Sequence, residues 1–183
     1  MRPLLPPVCV ELQAWGFRWG DIAFGPGDQV LVSDKLRKLF AEAGLLGVER
    51  LDPVDIVKIK RRRSETGDPP HYWLASIERS QAAIDKSASG LVCEETAMCE
   101  ECRIGGITKR TSRIILQANT WSGEDVFFAR GLPGTILVSE RFERVCETND
   151  LANCSFVAAE DFRFDHYPQE HSADVRQHRS RLT

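Results

Sequence analysis

Val30-Leu31-Val32 is a short apolar run, and after Ser33 the apolar side chains change period, recurring at Leu36, Leu39, Phe40 and Ala43. Lys35, Arg37, Lys38 and Glu42 fill the positions between. A continuous apolar triplet suits a buried strand, and the three-to-four spacing after it suits one face of a helix. Ser33 can cap that helix by accepting a hydrogen bond from its first turn, Asp34 suits the positive end of the helix dipole, and Gly44 supplies a stop. The pattern predicts a strand, a serine cap and an amphipathic helix.

The chain writes this pattern twice. From Ile136 the sequence ILVSERFERV pairs with VLVSDKLRKL from Val30, and every paired position is identical or chemically similar except Arg37 against Glu143. The pairing continues without a gap through Gly47 to Ile56 against Asn153 to Phe162, so Asp55 falls on Asp161. Upstream, Trp19 to Phe24 and Pro26-Gly27 are echoed by Trp121 to Phe127 and Pro133-Gly134. Strand-serine-helix is a common local pattern that can recur by chance, but a gapless continuation favours duplication. Further strands are expected near Val48 to Leu51 and Ser155 to Ala158.

Trp15, Phe17 and Trp19 alternate as strand residues do, which predicts packing on one face of a sheet, with an aromatic ligand platform as the alternative. Residues 1 to 14 read as an irregular or extended lead-in. VDIVKIKRRR, from Val54 to Arg63, reads as a strand ending in a basic run, followed by a polar loop from Ser64 to Pro70. HYWLASIERS carries apolar residues on both alternating sets, as a strand covered on both faces does. Asp85 to Gly90 reads as a turn.

These elements predict an α+β fold. Two tandem strand–turn–strand–helix–strand pseudo-repeats, about 15–56 and 121–162, share a mixed or antiparallel sheet, with a cysteine-bearing insertion between them. Residues 1–165 form a single domain and 166–183, which lose apolar periodicity, a polar tail.

Composition narrows the classes. The chain has 183 residues, 42% of them hydrophobic and 28% charged, which is ordinary for a globular protein. A formal charge of −3 gives no general pull toward nucleic acid or an anionic membrane. No apolar run near the N-terminus is long enough for a signal-peptide core or a membrane span, so a cytoplasmic location is expected. The six cysteines are then expected as thiols or metal ligands rather than disulfides.

One local signal suggests a metal. LVCEETAMCEECRIGG places Cys93, Cys99 and Cys102 in the spacing C-x5-C-x2-C. A tight Cys-x-x-Cys knuckle can bring two sulfurs onto one tetrahedral zinc ion. A second pair is missing, so a fourth ligand has to come from Cys9, Cys146, Cys154 or a histidine. Structural zinc, free thiols and redox chemistry all remain readings of this knuckle. Redox is disfavoured because Glu94, Glu95, Glu100 and Glu101 repel a thiolate. Those four glutamates are also a candidate contact for a basic partner, and a soluble turn is the plainer reading. The basic runs Lys58 to Arg63 and Lys109 to Arg113 are candidates for phosphate contact. No phosphate-binding glycine loop, serine nucleophile elbow, His-Glu-x-x-His or calcium loop is present. Asp21 with Asp125, and Asp55 with Asp161, are the carboxylates that recur by position; an active site could use them, but duplication accounts for the recurrence.

The strand-serine-helix segments, HYWLASIERS with AIDKSASG behind it, CEECRIGG, and W-x-G-x-D-x-F before ILVSERF together resemble the bacterial double-CXXCG immunity proteins, over most of residues 15 to 165. The resemblance implies a non-catalytic cytoplasmic antidote that binds one cognate toxin, encoded by a neighbouring gene. The family's first knuckle is missing, with Cys9 alone in that region. In the second, Arg103 stands where the motif has glycine, and the glycines are shifted to Gly105 and Gly106. By position Cys99 and Cys102 carry over, with a structural role. The competing class is a zinc-ribbon-like nucleic-acid-binding or regulatory adaptor working through the two basic runs.

Overall fold

A computed structural model describes residues 8–61, 67–93 and 108–165. The chain begins with β1 (Val8–Ala14), β2 (Ile22–Phe24) and β3 (Val30–Ser33), followed by α1 (Asp34–Glu42) and the long strands β4 (Val48–Arg61) and β5 (Tyr72–Ala83). After them come β6 (Val92–Cys93), β7 (Thr108–Thr111), β8 (Val126–Arg130), β9 (Ile136–Val138), α2 (Glu140–Thr148) and β10 (Phe164–Asp165). Seven strands form a mixed sheet in which β1-β4-β5-β3-β2 run side by side and β8 and β9 extend from β5. The pairs β1–β4 and β5–β8 are parallel and the others antiparallel. A smaller sheet holds β10-β7-β6.

Strand β5 joins the two ends of the large sheet. Its first half, through Ile77, lies between β3 and β4, and from Glu78 onward it pairs with β8. Its largely buried sequence is what a strand with neighbours on both edges and cover on both faces requires.

The two helices start as the sequence predicts. Ser33 Oγ accepts from the Leu36 N–H at 3.2 Å, and Ser139 Oγ accepts from the Phe142 N–H at 3.1 Å. Lys38 and Arg37 both bind Asp34 in the first turn of α1, which holds its carboxyl down at about 2. The inner faces of the helices meet on one side of the sheet: Leu36, Phe40, Phe142 and Cys146 are buried together over Val30 and Val32, with the Phe40 and Phe142 rings 5.6 Å apart. Leu31, pointing the other way, packs with Val8, Leu12, Tyr72 and Leu74. Among the described residues no helix is long and apolar enough to cross a membrane.

Three expectations change. Residues 8–14, expected within an irregular or extended lead-in, are extended and go further, forming a parallel edge strand on β4. That strand ends at Ala14, opposite Arg61, and Gly16 turns the chain at φ +96°, so Trp15 and Phe17 lie in a loop. They stand 61% and 65% exposed instead of packing on the sheet. Ser155 to Ala158 is not a strand. Val48 to Pro53 is one because Trp73 to Ile77 returns beside it, and among the described residues nothing returns beside Ser155 to Ala158.

Candidate functional site

The two helices lie with the first turn of each beside the end of the other, and a pair of buried aspartates ties them. Asp125 Oδ1 accepts from Ser139 Oγ at 2.6 Å. Its Oδ2 accepts from the Leu46 N–H at 2.9 Å and from Arg141 Nη1 at 3.1 Å. Arg141 then reaches across and donates to the carbonyls of Ala43 and Gly44, where α1 ends. The mirror of this arrangement starts at Asp21. Its Oδ1 accepts from Ser33 Oγ at 2.5 Å and its Oδ2 from the Ala152 N–H at 2.7 Å. Lys35 reaches the Asn149 carbonyl, where α2 ends, at 2.6 Å.

Each aspartate thus orients the serine capping one helix and pins the loop that leaves the other. Each cation sits at the negative end of the opposing helix dipole. The backbones follow suit: Asp125 N–H donates to Leu46 O at 2.9 Å and Asp21 N–H to Ala152 O at 2.7 Å. Burial removes the alternative of bonding water, so leaving these groups unpaired is costly. Tyr72 joins the Asp21 side by donating to Gly20 O at 2.6 Å; burial, with the Asp21 charge adding, pushes its phenol up to about 12. Under α2, the contact with Cys154 and burial push the Cys146 thiol up, and the same contact holds Cys154 down.

Between the clamps and the sheet lies a mainly apolar cleft of about 1020 Å³. Its walls include Ile22 and Phe24 of β2, Trp121 and Phe127, and Phe156 and Val157 from the segment after α2. Phe24 is 70% exposed, and Val157 also faces solvent. Trp121 is held in place: its ring stacks on Phe127 at 6.3 Å and its Nε1 donates to Glu124 O at 3.1 Å. Glu124 is itself fixed by Ser80 Oγ at 2.8 Å. The cleft is a preformed apolar recess of the kind that takes a small molecule or a projecting segment of a protein.

The residues singled out from sequence divide sharply. Cys93 ends β6, half-buried, with its thiol free. Cys99, Cys102, Glu94, Glu95, Glu100 and Glu101 lie outside the described residues. Among the described residues no group of three or more His, Cys, Asp or Glu side chains could hold a metal ion. Asp21 and Asp125 are buried with every carboxylate oxygen engaged by the clamps, while Asp55 and Asp161 are exposed. Lys35 and Arg141 pair in the two copies of the pattern, so their matched positions were visible, but nothing local told that each would reach the opposite helix. The cleft gave no such signal, because its walls come from segments far apart in the chain.

The model of the Immunity protein family (Imm11) matches residues 24–161, a span that contains both helices and most of the cleft wall. No curated protein matches the chain.

Proposed function

This chain belongs to the Immunity protein family (Imm11), and from that premise we propose that it is a non-catalytic antidote that captures one cognate antibacterial toxin in the cytoplasm. The observation that carries the reading is the family match across the clamped core. The physical features agree with it: a rigidly tied scaffold, buried carboxylates committed to structure, and an open apolar recess. The toxin is proposed to be the product of a neighbouring gene.

The two clamps support descent of the halves from one duplicated unit. Asp21 with Ser33 and Lys35 does in one half what Asp125 with Ser139 and Arg141 does in the other. Structural zinc on Cys93, Cys99 and Cys102, with a fourth ligand from elsewhere, is proposed as an addition to the reading. A half-exposed thiol at the end of β6 suits one ligand of such a site.

Native mass spectrometry of the chain co-expressed with an inactivated toxin from the adjacent gene tests both proposals. The expected spectrum shows a one-to-one complex carrying one zinc ion, which Cys99→Ser removes. A free chain would contradict the antidote reading, and a metal-free complex would contradict the zinc.

A further inference from the structure

The end of the β1–β4 pair carries a surface that neither the clamps nor the cleft uses. Strand β4 continues past the start of β5 and from Val54 to Arg61 is paired with β1. The chain leaves β1 through the exposed Trp15 and Phe17. Next to them Trp19 is fixed: the Arg61 guanidinium lies over its ring at 5.4 Å, and Trp19 Nε1 and Arg61 Nη2 both donate to Gly67 O, at 3.4 and 2.8 Å. The paired segments here, Glu11–Ala14 and Lys58–Arg61, hold three cations and one carboxylate. That carboxylate, Glu11, is already occupied by Lys60 at 2.9 Å.

Large aromatics are costly to leave in water, and two neighbouring ones this exposed mark a contact surface rather than chance solvent exposure. Tryptophan and arginine are the residue types that dominate binding energy in protein interfaces, and this cluster places both beside an excess of positive charge. Its complement is an acidic surface with an apolar centre.

We propose that this aromatic and basic tip, with Trp15 and Phe17 in the loop after β1 and Lys58 and Arg61 on opposite faces of the strand beside it, is where the chain docks an acidic face of its toxin. The proposal rests on the antidote reading and names the partner's chemistry. A single-stranded nucleic acid offers stacking and negative charge too, but a strand binder needs a cationic track along its backbone. Here the chain's formal charge of −3 gives no general pull toward a polyanion.

The test titrates the full chain with the purified, inactivated toxin encoded beside it, at low and high salt. Trp15→Ala/Phe17→Ala is expected to weaken binding by at least about 30-fold, as loss of central aromatic anchors does. Lys58→Glu is expected to slow association about tenfold at low salt and much less at high salt, where steering is screened. Both changes are at exposed positions, so the variants should melt with the wild type. If the wild type binds and these variants bind equally well, the docking surface is wrong and the antidote reading stands. If binding is lost on charge reversal of Glu94, Glu95, Glu100 and Glu101 and not on changes at the tip, the contact belongs to that acidic run. If the wild type does not bind the toxin, the antidote reading fails and the docking proposal with it. A tip that instead captures a mixed-sequence single-stranded oligonucleotide, through the same residues, would also overturn the proposal.

Discussion

Asp125→Ala is expected to lower the free energy of unfolding by about 3–5 kcal/mol, because it strips the shared acceptor from several buried or half-buried donors at once, each worth about 1–3 kcal/mol. The substitution frees the Ser139 hydroxyl, the Leu46 N–H and one donor of Arg141 together. The guanidinium then loses its anchor beside Ala43 and Gly44, so the end of α1 loosens as well as the start of α2. Asp21→Ala should cost somewhat less, about 2–4 kcal/mol, because Lys35 bonds the end of α2 without touching the carboxylate. For a chain of this size each kcal/mol moves the melting temperature by roughly 2–4 °C, so both losses are measurable by thermal or denaturant unfolding. Asp161→Ala, at an exposed position, is the control and should stay within about 0.5 kcal/mol. A loss below 1 kcal/mol at Asp125 would mean that the clamp does not hold the halves together.

Gly47→Ala should be at least as damaging, by about 3 kcal/mol or more, for a steric reason. A Cβ at Gly47 would stand 1.9 Å from the carbonyl oxygen of Val126, and the backbone there has φ +106°. Val126 N–H donates to Leu46 O at 3.1 Å and Glu78 N–H to Gly47 O at 2.8 Å, so neither strand can move away without losing bonds. Gly16→Ala separates clash from strain: its φ of +96° is as unfavourable, but nothing lies within 4 Å of the new carbon. It should cost only about 1–2 kcal/mol. Equal melting curves for the two variants would show that the approach of Gly47 to β8 is not close in solution.

The sequence made the local rules of this fold legible and left the long-range ones hidden. Ser33 and Ser139 cap their helices as read, because the capping bond itself joins residues three apart in the chain. Val48 to Leu51 and Ser155 to Ala158 are expected as the last strands of the two copies, yet one is a strand and the other is not. The difference is the partner strand, Trp73 to Ile77, which no property of Ser155 to Ala158 could reveal. Trp19 packs against the Leu31 and Tyr72 cluster as its alternation suggested, whereas Trp15 and Phe17 misled for the opposite reason. Their alternation copies a strand, but Gly16 between them sits at positive φ and turns the chain into a loop.

Asp21 and Asp125 were visible as a recurring pair, and sequence alone left open an active site or a structural role. The geometry gives both a structural role, since Ser33, Ala152, Ser139, Leu46 and Arg141 between them bind the carboxylate oxygens. The cleft was out of reach of any sequence argument: Phe24, Trp121 and Phe156 meet there through the sheet and the clamps, and none carries a local sign of it.

The central claim, that the chain disarms a toxin by binding it, is tested most directly by survival. Cells carrying the active toxin of the adjacent gene under an inducible promoter are grown with and without this chain, and viable counts are taken after induction. The account predicts that toxin alone kills, that the wild-type chain restores growth, and that Asp125→Ala rescues less as its folded fraction falls. Killing that proceeds unchanged beside a well-expressed, folded wild-type chain would contradict it.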